Sequence, residues 1–106
     1  MKSGMKGFNL VKQAQQLQQK ITKIQEEIGK KTITAAAGGG MVEVMVNGKQ
    51  EVLSIKIDPE VVSSDDLEML QDMLVAAVNK GLSDAKQMMT DALAGIAGGM
   101  QIPNLF

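Results

Sequence analysis

The sequence contains no cysteine, histidine, tryptophan, tyrosine or arginine. Without Cys and His there is no thiol nucleophile, no disulfide, no zinc site of the usual ligands and no imidazole base. Ser63, Ser64 and Ser83 have no histidine to activate them, so nucleophilic catalysis is unsupported. Phe8 and Phe106 are the only aromatics. Two rings cannot build the platform on which single-strand binders stack successive bases. No apolar run approaches the ~18 residues of a membrane span, and Met1-Lys2-Ser3-Gly4 does not open a signal peptide. A cytoplasmic protein is expected, with no enzymatic activity, no cofactor, no metal and no small-molecule substrate.

What is present suffices for one small domain: 106 residues, 44% of them hydrophobic. The net charge of −1 conceals a strong asymmetry. Residues 1–31 hold seven lysines (Lys2, Lys6, Lys12, Lys20, Lys23, Lys30, Lys31) and two glutamates (Glu26, Glu27), a net of +5. Residues 32–56 are balanced, and residues 57–106 carry a net of −6. A basic end on an acidic chain suggests contact with a polyanion. The plainer readings are a solvated helix face, or pairing between the two ends.

Apolar residues at Leu10, Ala14, Leu17, Ile21, Ile24 and Ile28 are spaced 4, 3, 4, 3, 4. That spacing predicts a helix over 8–28 with a coiled-coil seam, closed by Gly29. Strands are expected at about 31–37, 41–46 and 49–57, the first turn made by Gly38-Gly39-Gly40 and the second by Asn47-Gly48. Val52 beside Leu53 breaks the alternation and implies a bulge there. Asp58-Pro59 ends the sheet. Asp65 as cap and Glu68 three residues on predict a helix over 65–93. Its apolar positions cover more than one face, and the first helix leaves a seam open. Both argue for a homodimer. Leu70, Met73, Leu74, Ala77 and Val78 are the residues expected to meet the second copy. Residues 95–106, rich in Gly, read as a flexible tail. The architecture is α+β, in the order α-β-β-β-α, with a three-stranded antiparallel sheet in one domain spanning 1–94.

Most candidate chemistry has a structural explanation. Gly38-Gly39-Gly40 precedes a strand, whereas a phosphate loop opens a helix with Lys and Ser/Thr. Asp65, Asp66, Glu68 and Asp72 crowd a helix start, where carboxylates complement the dipole, and lack calcium-loop spacing. The nine methionines fall mostly at helical core spacing.

The lysines of the first helix remain. At roughly 100° per residue, Lys12, Lys20 and Lys23 share an arc of about 80° opposite the apolar seam, with Gln16 among them. Lys2 and Lys6 extend the patch on a flexible lead. Such a face contacts phosphates by charge and by glutamine hydrogen bonds. Glu27 weakens it at the far end. Arginine makes the commonest base-specific contact, so its absence points to backbone binding with weak sequence preference. Lys80 and Lys86 on the second long helix are secondary candidates, diluted by Asp84 and Asp91.

The order of several segments resembles the YbaB/EbfC family of small bacterial nucleoid-associated proteins. They are Leu10-Val11-Lys12-Gln13-Ala14-Gln15-Gln16-Leu17-Gln18, Ala37-Gly38-Gly39-Gly40-Met41-Val42, Val46-Asn47-Gly48-Lys49, Ile55-Lys56-Ile57-Asp58-Pro59, Met69-Leu70, Ala76-Ala77-Val78-Asn79 and the closing Pro-containing tail. The resemblance covers nearly the whole chain. It implies an intertwined homodimer with projecting helical arms, double-stranded DNA as partner, location at the nucleoid, and a role in chromosome organisation or transcription. It places DNA contacts on the arms, at Lys12 and the lysines after it. The rival expectation is a protein-interaction adaptor using the Met-rich second helix or the tail.

Overall fold

A computed structural model describes residues 2–62 and 65–99, with side chains described for 9–62 and 65–96. The elements are α1 (Lys2–Gly29), β1 (Thr32–Ala37), β2 (Val42–Asn47), β3 (Val52–Ile57), α2 (Pro59–Val62) and α3 (Leu67–Gly99). The strands form an antiparallel sheet in the order β1-β2-β3. This is the expected α-β-β-β-α fold with one short helix added.

That helix, α2, follows from the residues that end the sheet. The Asp58 carboxylate accepts from the Glu60 N–H (2.9 Å), and its carbonyl accepts from the Val61 N–H (3.0 Å). Pro59 stands at the first helical position, where its missing N–H is not needed. Val61 is buried.

Both long helices exceed their expected bounds. α1 begins at Lys2, so Lys2 and Lys6 stand on the helix rather than on a flexible lead. Gly4 and Gly7 each cost a helix only about 1 kcal/mol and do not break it as proline would. α3 runs to Gly99, so the expected tail is helical at 95–99. Residues 100–106 lie outside the described residues. At the start of α3 the cap is Asp66, not Asp65: the Asp66 carboxylate accepts from the Met69 N–H (2.9 Å). With Leu67 first in the helix, Met69 holds the third position and no capping box forms.

The second turn is longer than a two-residue hairpin. Asn47 Oδ1 accepts from the N–H groups of Lys49 (2.9 Å) and Glu51 (3.0 Å), and Gln50 alone among the described non-glycine residues has positive φ (62°). Gly48 serves close approach instead. A Cβ there would run into the Ile28 carbonyl oxygen at the end of α1. The expected bulge is present: Met45 pairs with Ser54 and Val46 with Val52, leaving Leu53 unpaired. The glycine turn is also as expected, with φ of 62°, 67° and 93° at Gly38, Gly39 and Gly40.

The core is small. Val42, Val44 and Val46 of β2 face Ala77 and Ala85 of α3, and all five are fully buried. α3 packs over β1 and β2 and also against α1. β3 is left uncovered. Val52, Leu53, Ile55 and Ile57 are 36–51% exposed. Register puts Ile55 opposite Val44 and Ile57 opposite Val42, on the face where α3 lies. The molecule is long and thin, 77 × 24 × 17 Å, with a radius of gyration of 20.8 Å. A compact chain of this length would have about 13 Å.

Candidate nucleic-acid interface

α1 is amphipathic in the sense the sequence predicts. Leu17, Ile21, Ile24 and Ile28 are half-buried, whereas Lys12, Gln13, Gln16, Gln19, Lys20 and Lys23 are exposed. Farther out, Leu10 is 65% exposed. A 28-residue helix is about 42 Å long, so α1 is a rod with lysines along one side. Lys12, Lys20 and Lys23 form no ion pair among the described residues. Gln13, Gln16, Leu17 and Lys20 line an open groove on the rod. The side chains of Lys2 and Lys6 lie outside those described.

The secondary lysines differ from each other. Lys80 is paired with Asp84 (Nζ to Oδ2, 2.9 Å), one turn along α3 and open to solvent. An exposed pair of this kind stabilises by at most about 1 kcal/mol, so it competes with a phosphate without abolishing binding. Lys86 is exposed and unpaired among the described residues.

The stripe expected to meet a second copy is largely taken up within the chain. Ala77 is completely buried against the sheet. Leu70, Met73, Leu74 and Val78 pack partly on the same core. Within one chain, the apolar face of α3 that the periodicity located lies against the sheet. The apolar surface left over lies on β3, at Val62 (56% exposed), at Leu67, Met69 and Val75, and at Leu10 and Val11 of α1 and Met45 of β2.

Three further lysines were not singled out as candidates by the sequence, although two of them, Lys30 and Lys31, were counted in its basic third. Lys30 and Lys31 follow α1 directly, and the β2–β3 turn brings Lys49 beside them. Their proximity depends on the Asn47 turn, which spacing alone does not specify.

Other clefts offer a polyanion less. The one beside the start of α3, of about 390 Å³, is lined by Asp66, Glu68 and Asp72 with Met69 and Met73. Its carboxylates repel phosphate. Among the described residues no group of three or more Asp or Glu is arranged to hold a metal ion, and no helix is long and apolar enough to cross a membrane.

The fold and this stripe define a small α+β protein with a cationic helical arm. The family model described as the YbaB/EbfC DNA-binding family matches residues 2–100. A nucleoid-associated protein of Syntrophobacter fumaroxidans is 53% identical over 100 residues, covering 94% of this chain and 91% of that protein. Another, of Thermoanaerobacter pseudethanolicus, is 51% identical over 98 residues, covering 92% and 88%. The crystal structure of an uncharacterized Helicobacter pylori protein has the same fold, with a TM-score of 0.75 at 24% identity over 83% of this chain and 92% of that one. The chain belongs to the YbaB/EbfC DNA-binding family.

Proposed function

We propose that the protein binds duplex DNA through the lysine face of α1 and acts architecturally at the nucleoid, in the cytoplasm. Lys12, Lys20 and Lys23 contact phosphates, Gln16 adds hydrogen bonds, and Lys86 and Lys80 contribute from α3. The observation that carries this reading is the row of exposed, unpaired lysines along a projecting rod. Two relatives named nucleoid-associated proteins support the location. Lysine contributes point charge rather than the bidentate fork that reads guanine, so sequence preference is weak. Chromosome organisation or broad gene regulation follows from such binding. No catalytic role is assigned.

The binding unit in this reading is a homodimer, with the second copy covering β3. Among the described residues, the buried apolar ones are all Ala or Val, while eleven large apolar residues are 36–65% exposed. A chain of this size with so small a core gains stability by burying such a surface in a partner. The adaptor reading has less support, because three of the four methionines of α3, Met73, Met88 and Met89, are already half-buried and only Met69 is exposed.

Fluorescence anisotropy with one AT-rich and one GC-rich duplex over a salt series tests the reading. Both should bind alike, with a log–log salt slope near −5 if about six phosphates are neutralised. Replacing Lys12, Lys20 and Lys23 with Ala should weaken both complexes and flatten the slope by about 3. Unchanged affinity in that variant would overturn the assignment.

A further inference from the structure

The base of the arm carries a cationic cluster built from two separate elements. Lys30 and Lys31 follow the last residue of α1. Lys49 lies in the turn between β2 and β3, eighteen residues beyond Lys31. The turn brings them together. The Gly48 N–H donates to the Lys31 carbonyl (3.0 Å), and the Lys31 N–H donates to the Ile28 carbonyl (3.0 Å). The Lys49 stem crosses Gly29, with Cγ and Cε 3.0 Å from where a Cβ on Gly29 would stand. All three lysines are exposed, and none forms an ion pair among the described residues.

We infer that Lys30, Lys31 and Lys49 form a second phosphate-contact locus, at the foot of the arm, which grips the same duplex that the outer lysines of α1 contact. The inference rests on the DNA-binding reading above and adds to its footprint. On α1, Lys12 and Lys23 stand eleven residues apart, so at about 100° per residue their directions agree within about 20°, and Lys30 begins the turn that follows the helix directly. From Lys12 to Gly29, where α1 ends, the rise is about 26 Å. That is less than one turn of B-DNA, about 34–36 Å, so outer and basal lysines reach one side of one duplex. Three acids stand near the base and set its limits. Glu26 and Glu27 flank the stripe on α1. Glu51 is held by the Asn47 side-chain amide (Nδ2 to Oε1, 2.9 Å). The cluster therefore holds phosphate through direct contact rather than through a long-range field.

The test uses the full-length chain and a labelled duplex, with Lys30→Gln, Lys31→Gln and Lys49→Gln combined. Glutamine keeps most of the stem that packs on Gly29 and removes the charge. A Lys30→Gln, Lys31→Gln double variant leaves Lys49 untouched, should the turn prove sensitive. Circular dichroism establishes that each variant is folded. Loss of two or three phosphate contacts should flatten the salt slope by about 2–3, so that the wild-type advantage shrinks about 10- to 40-fold between 50 and 200 mM salt. The double variant should show about two-thirds of that change. If wild type binds and the folded variants keep its slope, the basal locus is overturned and the outer lysines stand alone. If wild type fails to bind any duplex, the DNA reading and this locus fall together.

Discussion

Gly48 and Gly95 give opposite predictions for the same substitution. At Gly48 an added Cβ meets backbone, the Ile28 carbonyl, which cannot swing aside as a side chain would. Gly48→Ala must therefore part the β2–β3 turn from the end of α1, and also disturbs the hydrogen bond to Lys31. A loss of about 2–3 kcal/mol is expected, in the range of other forced overpacking. At Gly95, inside α3, a Cβ meets nothing within 4 Å. Gly95→Ala should stabilise by about 0.5–1 kcal/mol through helix propensity alone. Urea melts of both variants check the two signs. Asp66 offers a similar contrast with its neighbour. Asp66→Ala removes the α3 cap and should cost about 1 kcal/mol, whereas Asp65→Ala should cost much less. The sequence favoured Asp65 because Glu68 sits three residues on. It could not show that the chain enters the helix one residue later.

At the scale of elements, period decided what could be read. The 3-4 spacing from Leu10 to Ile28 located α1, and alternation at Val42, Val44 and Val46 located β2 and its buried face. The lysine face was legible for the same reason, since it is the complement of the seam. The Lys80–Asp84 pair was open to inference too, being a one-turn spacing of opposite charges. The short helix α2 was hidden because Asp58-Pro59 serves equally to stop a strand and to start a helix. What period cannot show is the occupant of an apolar face. β3 alternates as a half-buried strand does, yet α3 is one helix wide and covers only β1 and β2. The uncovered Ile55 and Ile57 are where a charge should cost assembly rather than folding. Ile55→Asp with Ile57→Asp should convert a species of twice the 11.3 kDa chain mass into a monomer, by sedimentation equilibrium. A wild-type protein that sediments as a monomer at micromolar concentration would sink the homodimer proposal.

Over the whole molecule, charge is sorted by element. The basic third is α1 and the joint below it, and the acids concentrate after Ile57, on α2, α3 and the segment between. On a chain with a net charge of −1, that sorting makes the molecule a dipole whose arm turns toward a polyanion. The acids on α3 oppose that approach. Asp84 holds Lys80 at 2.9 Å, and Asp91 accepts from the Gln87 amide (2.7 Å) on the same surface. Replacing both with Asn frees Lys80 and removes two negative charges, without touching the lysines of α1. Exposed charges of this kind contribute about 0.5–1 kcal/mol each, so duplex binding should tighten about 5- to 30-fold at low salt. The gain should shrink at 0.5 M salt, where screening acts within about 4–5 Å. The measurement is the anisotropy titration of the double variant at both ionic strengths. A gain that persists unchanged at high salt would mean the asparagines make new contacts of their own. No gain at low salt would mean that α3 stands away from the duplex, and that α1 and the base of the arm carry the binding unaided.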